Sequence, residues 1–320
     1  MSGAYTHRPV LLEEAIQGLA IRPDGVYVDG TLGRGGHSEA IVRGLTAGGR
    51  LLCIDRDSQA LEEGRARLAP WAGQITFLHG NFGDLAALLD GAGVERVDGM
   101  LFDLGVSSPQ LDDGERGFSY RTDAPLDMRM DRSEGLTAAQ VVNTWSQEEL
   151  RRILSQYGEE RYAPTIAAAI VRRRQERPIE TTLELVDVIK SGMPARALKE
   201  KQHPAKRSFQ AIRIAVNDEL SSVDRMIQAA VPRLNQGGRL AVITFHSLED
   251  RIVKTGLAAF AKGCTCPPDF PVCVCGKTPD VKLISRKPIL PTAEEIAENP
   301  RARSAKLRAA EKLKPPAGRA

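Results

Sequence analysis

No apolar run in these 320 residues approaches the roughly 20 needed to cross a bilayer, which excludes a helical membrane protein. The first residues, MSGAYTHRPVLLEEA, lack the basic-then-apolar layout of a signal peptide, and Glu13 and Glu14 interrupt their only apolar stretch. The chain therefore reads as cytoplasmic, with no membrane partner. A large charge imbalance is also lacking: 44 Lys and Arg stand against 41 Asp and Glu, a net +3. Internal repeats are absent. So is the dinucleotide fingerprint G-x-G-x-x-G, which counts against a nicotinamide-dependent oxidoreductase.

What is present is an ordinary globular composition, 42% apolar and 27% charged, in a length that suits one large domain or two modest ones. The charge is unevenly spread. Residues 170–213 hold eleven basic against five acidic residues, and residues 301–320 hold seven against one. Such asymmetry fits either a face for a polyanion beside a more acidic body or simply solvated helix faces and a ragged tail.

Short apolar runs closed by small or acidic residues recur at Val26–Asp29, Leu51–Asp55, Ile75–Leu78, Met100–Asp103 and Leu240–Phe245. They read as buried parallel strands. Helical segments at Ser38–Leu45, Ser58–Leu68 and Leu85–Ala92 alternate with the first four, and this rhythm predicts an α/β, doubly wound sheet. The interval before the fifth strand exceeds 130 residues and is helical in pattern. Ser146-Gln-Glu-Glu149 is a capping box, Pro164 opens an Ala/Ile-rich helix and Thr182 caps the next. The expected organisation is a first sheet portion at 1–112, an inserted helical substrate-binding domain at 113–207, a second sheet portion at 208–290 and a charged, loosely held tail at 291–320. A long helix over 208–234, stopped by Gly237-Gly238, is expected to rejoin the sheet. Leu248–Phe260 reads as a further helix and Lys282–Arg286 as a late strand.

The first strand runs into Asp29-Gly-Thr-Leu-Gly33-Arg-Gly35-Gly36-His37. Glycines at a strand's carboxyl end let the backbone turn tightly and approach a ligand at the switch point of an open sheet. Asp55, at the end of the second strand, can accept hydrogen bonds from both hydroxyls of a ribose, or cap a loop. Asp57 reads as the N-cap of the next helix. Phe82 follows the third strand and offers a flat face for an adenine ring, or packs in the core. Asp103 ends the fourth strand, at the carboxyl edge of the sheet.

With these residues the chain resembles the bacterial ribosomal RNA small subunit methyltransferase H family, also called the MraW family. The matching stretches run nearly end to end: His7–Glu13, Asp29–His37, Asp103–Ser108, Arg116–Ser119, Pro125–Met130, Arg207–Arg213, Val216–Glu219, Phe245–Arg251 and Asn299–Arg303. The resemblance implies a class I, Rossmann-like methyltransferase with an inserted helical domain. It implies S-adenosyl-L-methionine as cofactor, and 16S rRNA or the small ribosomal subunit as partner, methylated at N4 of a cytidine in the decoding region. It also implies cofactor contacts at Gly35, Gly36, His37, Asp55, Phe82, Asp103 and Gln110; Gly33 of the same loop is a further candidate. The segment after the fourth strand, Asp103-Leu-Gly-Val-Ser-Ser-Pro-Gln110, departs from the Asn/Asp-Pro-Pro-aromatic motif of many amino methyltransferases, so catalytic contacts are not copied from those classes. Asp103, Ser107 and Ser108 are the catalytic candidates.

A cytidine amine inside a helix is unreachable, so the base is expected to turn out into a pocket between the two domains. Phe118, Tyr120, Asp127–Met130, Asn217 and His246 are candidates for its wall, each with a packing or capping role as the alternative. Arg172, Arg173, Arg174, Arg177, Lys206 and Arg207 are candidates for holding RNA phosphates. Cys53 reads as a small core residue. Cys264, Cys266, Cys273 and Cys275 fit either a tetrahedral zinc site or a reduced, thiol-rich loop, the Cys-x-Cys pairs being tighter than usual for zinc. A non-catalytic RNA-binding or ribosome-assembly factor with this fold is the rival reading, which cofactor binding without methyl transfer would favour. Whether a homodimer forms stays open in the sequence.

Overall fold

The computed structural model describes residues 9–314 except Glu134, Thr265, Pro268, Asp269 and Cys273, and their side chains except those of Ser108 and Pro109. The chain begins with α1 (Leu12–Leu19), β1 (Val26–Asp29), α2 (Gly36–Arg43), β2 (Arg50–Asp55), α3 (Ser58–Arg67), β3 (Ile75–His79), α4 (Leu85–Gly91) and β4 (Val97–Asp103). A helical run follows: α5 (Ser108–Asp112), α6 (Ala138–Thr144), α7 (Gln147–Gln156), α8 (Ala163–Glu176), α9 (Thr182–Ser191), α10 (Lys206–Asn217) and α11 (Glu219–Ala230). The remainder is β5 (Leu234–Thr244), α12 (Ser247–Ala261), β6 (Val281–Leu283), α13 (Ala293–Glu298) and β7 (Lys306–Lys312). Two compact units result, Met1–Gly105 with Leu220–Ala320, and Val106–Glu219. The helical unit is wider than the expected 113–207, because Val106 and Leu111 on one side and Phe209, Ile212 and Val216 on the other pack against its core.

In the first unit the strands form one sheet ordered β3-β2-β1-β4-β5-β7-β6. Pairs among β1 to β5 are parallel, and β7 runs antiparallel to both neighbours. The doubly wound, Rossmann-like sheet expected from the alternating pattern is what these strands build. Side chains alternate between two cores along each strand. Leu52, Ile54, Met100, Phe102, Leu240 and Val242 face Leu85 and Leu89 of α4, Met226 and Ile227 of α11 and Val253 of α12. Leu51, Cys53, Leu101, Ala241 and Ile243 face Ala15 and Leu19 of α1 and Ile41 and Val42 of α2. This two-sided burial explains why the strands read as continuous apolar runs. Each fully buried Leu or Ile contributes about 1.5–3 kcal/mol.

Three expectations are corrected. The helix expected over 208–234 is two helices, since Asp218 adopts a left-handed φ of 49° and breaks it. Gly237-Gly238 does not end a helix: β5 already starts at Leu234, and the glycines, with φ 72° at Gly237, lie where the β4–β5 register shifts. The segment expected as a loose tail carries β7, the sixth strand of the sheet, with Leu307, Ala309 and Ala310 buried. Its charges obscured the pattern, yet they have partners. Arg308 and Lys306 pair with Asp250 of α12 at 2.7 and 3.3 Å and hold its carboxyl below the usual range against the opposing effect of burial.

The second unit is held by an aliphatic core from α6, α7, α8, α9 and α10. The capping box at Ser146 and Glu149 is present, and α9 begins one residue early, with Thr181 as its cap and Glu184 closing the box. Arg213 and Glu219 form a two-pronged ion pair at 2.8 and 2.7 Å.

Candidate active site

The carboxyl ends of β1, β2, β3 and β4 present Asp29, Asp55, the Asn81-Phe82 turn and Asp103 along one edge of the sheet. Asp29 itself is buried and faces inward. Ser38 Oγ donates to its Oδ2 at 2.6 Å and the Thr31 N–H to its Oδ1 at 3.1 Å. Burial pushes the Asp29 carboxyl up, while these bonds pull it down. Asp29 thus ties the start of α2 to the strand end and fixes the loop between them.

Within that loop Gly33 and Gly35 take left-handed φ values of 49° and 74°, which a side chain would strain. Gly36 packs so closely on Pro9 that a Cβ there would stand 2.3 Å from its Cγ. Asp55 closes the loop from the neighbouring strand: its Oδ2 accepts from the Gly33 N–H at 2.8 Å and its Oδ1 from the Asp57 N–H at 2.9 Å. Burial raises the Asp55 carboxyl to about 6 despite these bonds, and the nearby Asp57 and Asp29 add to the rise. Both readings of Asp55 are therefore compatible, because carboxylate oxygens that cap the loop keep further lone pairs for hydroxyl donors. Asp57 caps α3 as expected.

Phe82 lies edge-on to Phe102, with ring centroids 6.0 Å apart, and is partly exposed. One edge serves the core while part of the ring stays accessible. Asp103 is anchored through its backbone, whose N–H donates to Thr31 Oγ1 at 2.6 Å. Its Oδ2 lies 3.7 Å from His37 Nδ1, and His37 Nε2 lies 3.1 Å from the carbonyl of Val10. The Oδ1 atom is buried and has no hydrogen-bond partner among the described residues. Desolvation first, then the negative charges of Asp29 and Glu249, push the Asp103 carboxyl up to about 8.

The first unit thus brings Gly33 to Asp55, and His37 to Asp103. Ser107 and Gln110 lie in the second unit. There the Ser107 N–H donates to Gln110 Oε1 at 3.0 Å and the Gln110 N–H lies 3.5 Å from Ser107 Oγ, a reciprocal cap at the start of α5. The side chain of Ser108 lies outside what is described, as does His7 of the N-terminal motif. Phe118, Met128 and Met130 are buried in the helical core. Asn217 clamps that segment, accepting from the Met130 N–H and donating to the Met128 carbonyl, both at 2.8 Å. Tyr120 stacks on His203 at 4.5 Å, and His246 caps α12. Packing and capping roles hold for these residues.

Among the basic candidates Arg172, Arg177, Lys206 and Arg207 are exposed. Arg174 instead donates to the carbonyls of Val142 and Trp145 at 2.8 and 2.6 Å, satisfying the end of α6. A groove of about 350 Å³ between α8 and α9 is lined by Arg172, Arg173 and Arg177 together with Glu176, Glu184 and Asp187, so its charge is balanced. Arg177 pairs with Glu184 at 2.9 Å. Sequence reading passed over Thr31 and Ser38, whose hydroxyls position Asp103 and Asp29. Small hydroxyl residues inside and just after a glycine-rich loop are the signal that could have found them.

A model of the MraW methylase family matches residues 4–313. The ribosomal RNA small subunit methyltransferase H of Paenibacillus sp. (strain JDR-2) is 56% identical over 315 residues, covering 97% of this chain and 100% of that protein. The protein of the same name from Brevibacillus brevis is 56% identical over 310 residues, covering 97% and 99%. The one from Symbiobacterium thermophilum is 55% identical over 310 residues, covering 97% and 98%.

Proposed function

Since the chain belongs to the MraW methylase family, we propose that it is an S-adenosyl-L-methionine-dependent methyltransferase of small-subunit ribosomal RNA. Its target is the N4 exocyclic amine of a cytidine in the decoding region of 16S rRNA, and it works in the cytoplasm. The observation that carries the cofactor assignment is Asp103, whose Oδ1 is buried without a partner among the described residues at the mouth of a left-handed glycine loop.

These residues fit the cofactor. An acceptor that lacks a donor suits a cationic ligand, and Asp55 keeps acceptor capacity for a ribose diol. Gly33, Gly35, Gly36 and His37 would form the loop that holds the ligand, Phe82 would offer its ring face to the adenine, and Gln110 is a further candidate contact. S-adenosylmethionine supplies a methyl group already activated by its sulfonium.

The chain's own task is alignment. The lone pair of a cytosine amine is delocalised into the ring, so fixing the amine in line with the methyl contributes most, on the order of 7–11 kcal/mol. An acceptor close to the amine draws the nitrogen toward tetrahedral geometry and takes up its proton. Asp103, the carbonyls of residues 104–107, Ser107 and Ser108 are the groups proposed for this. The helical unit is the RNA-binding part, with phosphates held by Arg172, Arg173, Arg177, Lys206 and Arg207; Arg174 is left out because its guanidinium serves the fold.

The test is transfer of labelled methyl from S-adenosylmethionine to small ribosomal subunits from cells lacking the activity, followed by nucleoside analysis. N4-methylcytidine that disappears with Asp103→Ala is the expected result. Cofactor binding without incorporation would favour an assembly factor, and label in another nucleoside would refute the N4 assignment.

A further inference from the structure

Residues 262–280 join α12 to β6 with no helix or strand among those described. A connection of this length without regular structure is uncommon in a compact unit and needs either a function or a constraint. Burial does not supply the constraint, since Phe270, Val272 and Val274 are exposed by 50%, 69% and 73%. Three cysteines in the same loop converge instead. The Sγ atoms of Cys264, Cys266 and Cys275 all lie within 4.8 Å of one another. Cys273 lies outside the described residues and is not one of the three.

The spacing of these sulfurs discriminates between the chemistries open to thiols. Cys264 and Cys275 Sγ are 3.7 Å apart, far beyond the roughly 2.05 Å of a disulfide. Two thiolates on a tetrahedral zinc, each at about 2.3 Å, stand about 3.8 Å from one another. The Cys266 N–H also points at Cys264 Sγ, at 3.4 Å, and a donor in that position favours the thiolate over the thiol. A chain that doubles back over eleven residues to set two sulfurs at the edge length of a zinc tetrahedron, with a third alongside, has the geometry of a metal clip.

We propose that Cys264, Cys266 and Cys275 bind one Zn²⁺ that staples the 262–280 loop. Soft thiolate donors in tetrahedral array select zinc over hard cations such as Mg²⁺ or Ca²⁺. On binding, each thiol releases its proton and forms a sulfur–zinc bond, so one Zn²⁺ displaces three protons and the resulting unit carries a charge of −1. The fourth position is taken by water or one more donor. Because protons and metal compete for the sulfurs, affinity falls as the pH is lowered. The role is structural: closing the loop removes conformational freedom that its exposed apolar residues cannot remove by burial. The metal clip does not depend on methyl transfer.

The experiment uses the full chain, purified anaerobically under reduction, loaded with Zn²⁺ or Co²⁺ and desalted. The expected result is one zinc per chain, and for cobalt the visible absorption of a tetrahedral thiolate site. A Cys264→Ser/Cys275→Ser double variant loses the metal, with affinity down by at least about a hundredfold, while S-adenosylmethionine affinity stays at the wild-type level. Limited proteolysis adds a readout on the wild-type chain: chelation opens residues 262–280 to cleavage, and zinc closes them again. Wild-type protein that takes up no stoichiometric metal, a double variant that keeps it, or cleavage indifferent to the chelator would each overturn the site.

Discussion

His37 Nδ1 stands 3.7 Å from Asp103 Oδ2 while the opposite ring nitrogen lies 3.1 Å from the carbonyl of Val10. A carbonyl can only accept, so the Nε2 atom carries the proton in that contact, and the Nδ1 side of the ring is the one turned toward Asp103. Burial first, then the negative charges of Asp29 and Glu249, push the Asp103 carboxyl up to about 8. A cation placed beside Asp103 would favour its ionised form.

Cofactor binding should therefore be linked to a proton. Below about pH 8 the empty site holds Asp103 protonated, and a cationic ligand favours the ionised form, so binding releases a proton and affinity rises with pH until about 8 and then levels off. Calorimetry in buffers of different ionisation enthalpy measures this directly. Asp103→Asn should abolish the linkage and weaken binding about 10- to 100-fold, the scale of one charge-assisted hydrogen bond. A wild-type affinity that stays flat between pH 6 and pH 8 would contradict the account.

The same substitution should stabilise the empty protein. A carboxyl whose folded pKa lies above its unfolded value costs nothing below about pH 4, where both states are protonated. The cost grows as the unfolded state ionises and is complete above the folded value of about 8. Asp103→Asn removes a penalty largest in alkali, so its gain in Tm should be greater at pH 8.5 than at pH 5. Thermal melts of both proteins without cofactor check the sign, and the opposite trend would refute it.

Gly30→Ala tests how tightly the loop is seated on the sheet. Its Cβ would stand 2.1 Å from the Phe102 ring, and Phe102 is fully buried. Overpacking of this kind costs about 1–3 kcal/mol. Phe102→Leu makes room, so the double variant should be more stable than the sum of the two single effects predicts. Denaturant unfolding of the four proteins gives the coupling, and additivity would mean that the loop yields without strain.

Much of this architecture was legible because two-sided burial leaves a plain trace. Val26–Asp29 matched its strand at both ends, and Asp57 and Ser146 marked helix starts through side chains that accept from their own helix. The failures have physical causes as well. β7 reads Lys306-Leu-Arg-Ala-Ala-Glu-Lys312, so charges that pair with Asp250 and Glu311 that pairs with Arg239 looked like a solvated tail. Asp218 broke a helix that apolar periodicity would have continued, since a left-handed Asp costs little and leaves no mark on the pattern. At the site, loop and strand-end residues were visible as types, and the loop's small hydroxyls could have marked Thr31, but its partner, the Asp103 N–H, is set by the pairing of distant strands and only the fold reveals it.

The arginines of α8 separate the fold from the proposed RNA contact. Arg174 gives two hydrogen bonds to the carbonyls that end α6, whereas Arg172, one turn's fraction away, is exposed. Arg174→Ala should therefore destabilise the protein by about 1.5–3 kcal/mol, the scale of bonds from a charged donor. Arg172→Ala should leave stability within about 0.5 kcal/mol. It should instead weaken binding to small-subunit RNA and lower the slope of log affinity against log salt by about 1, as expected for one lost phosphate contact. Pairing thermal melts with RNA titrations at several salt concentrations distinguishes the two residues. An Arg172→Ala protein with unchanged affinity and slope would move the RNA face off α8, toward Lys206 and Arg207.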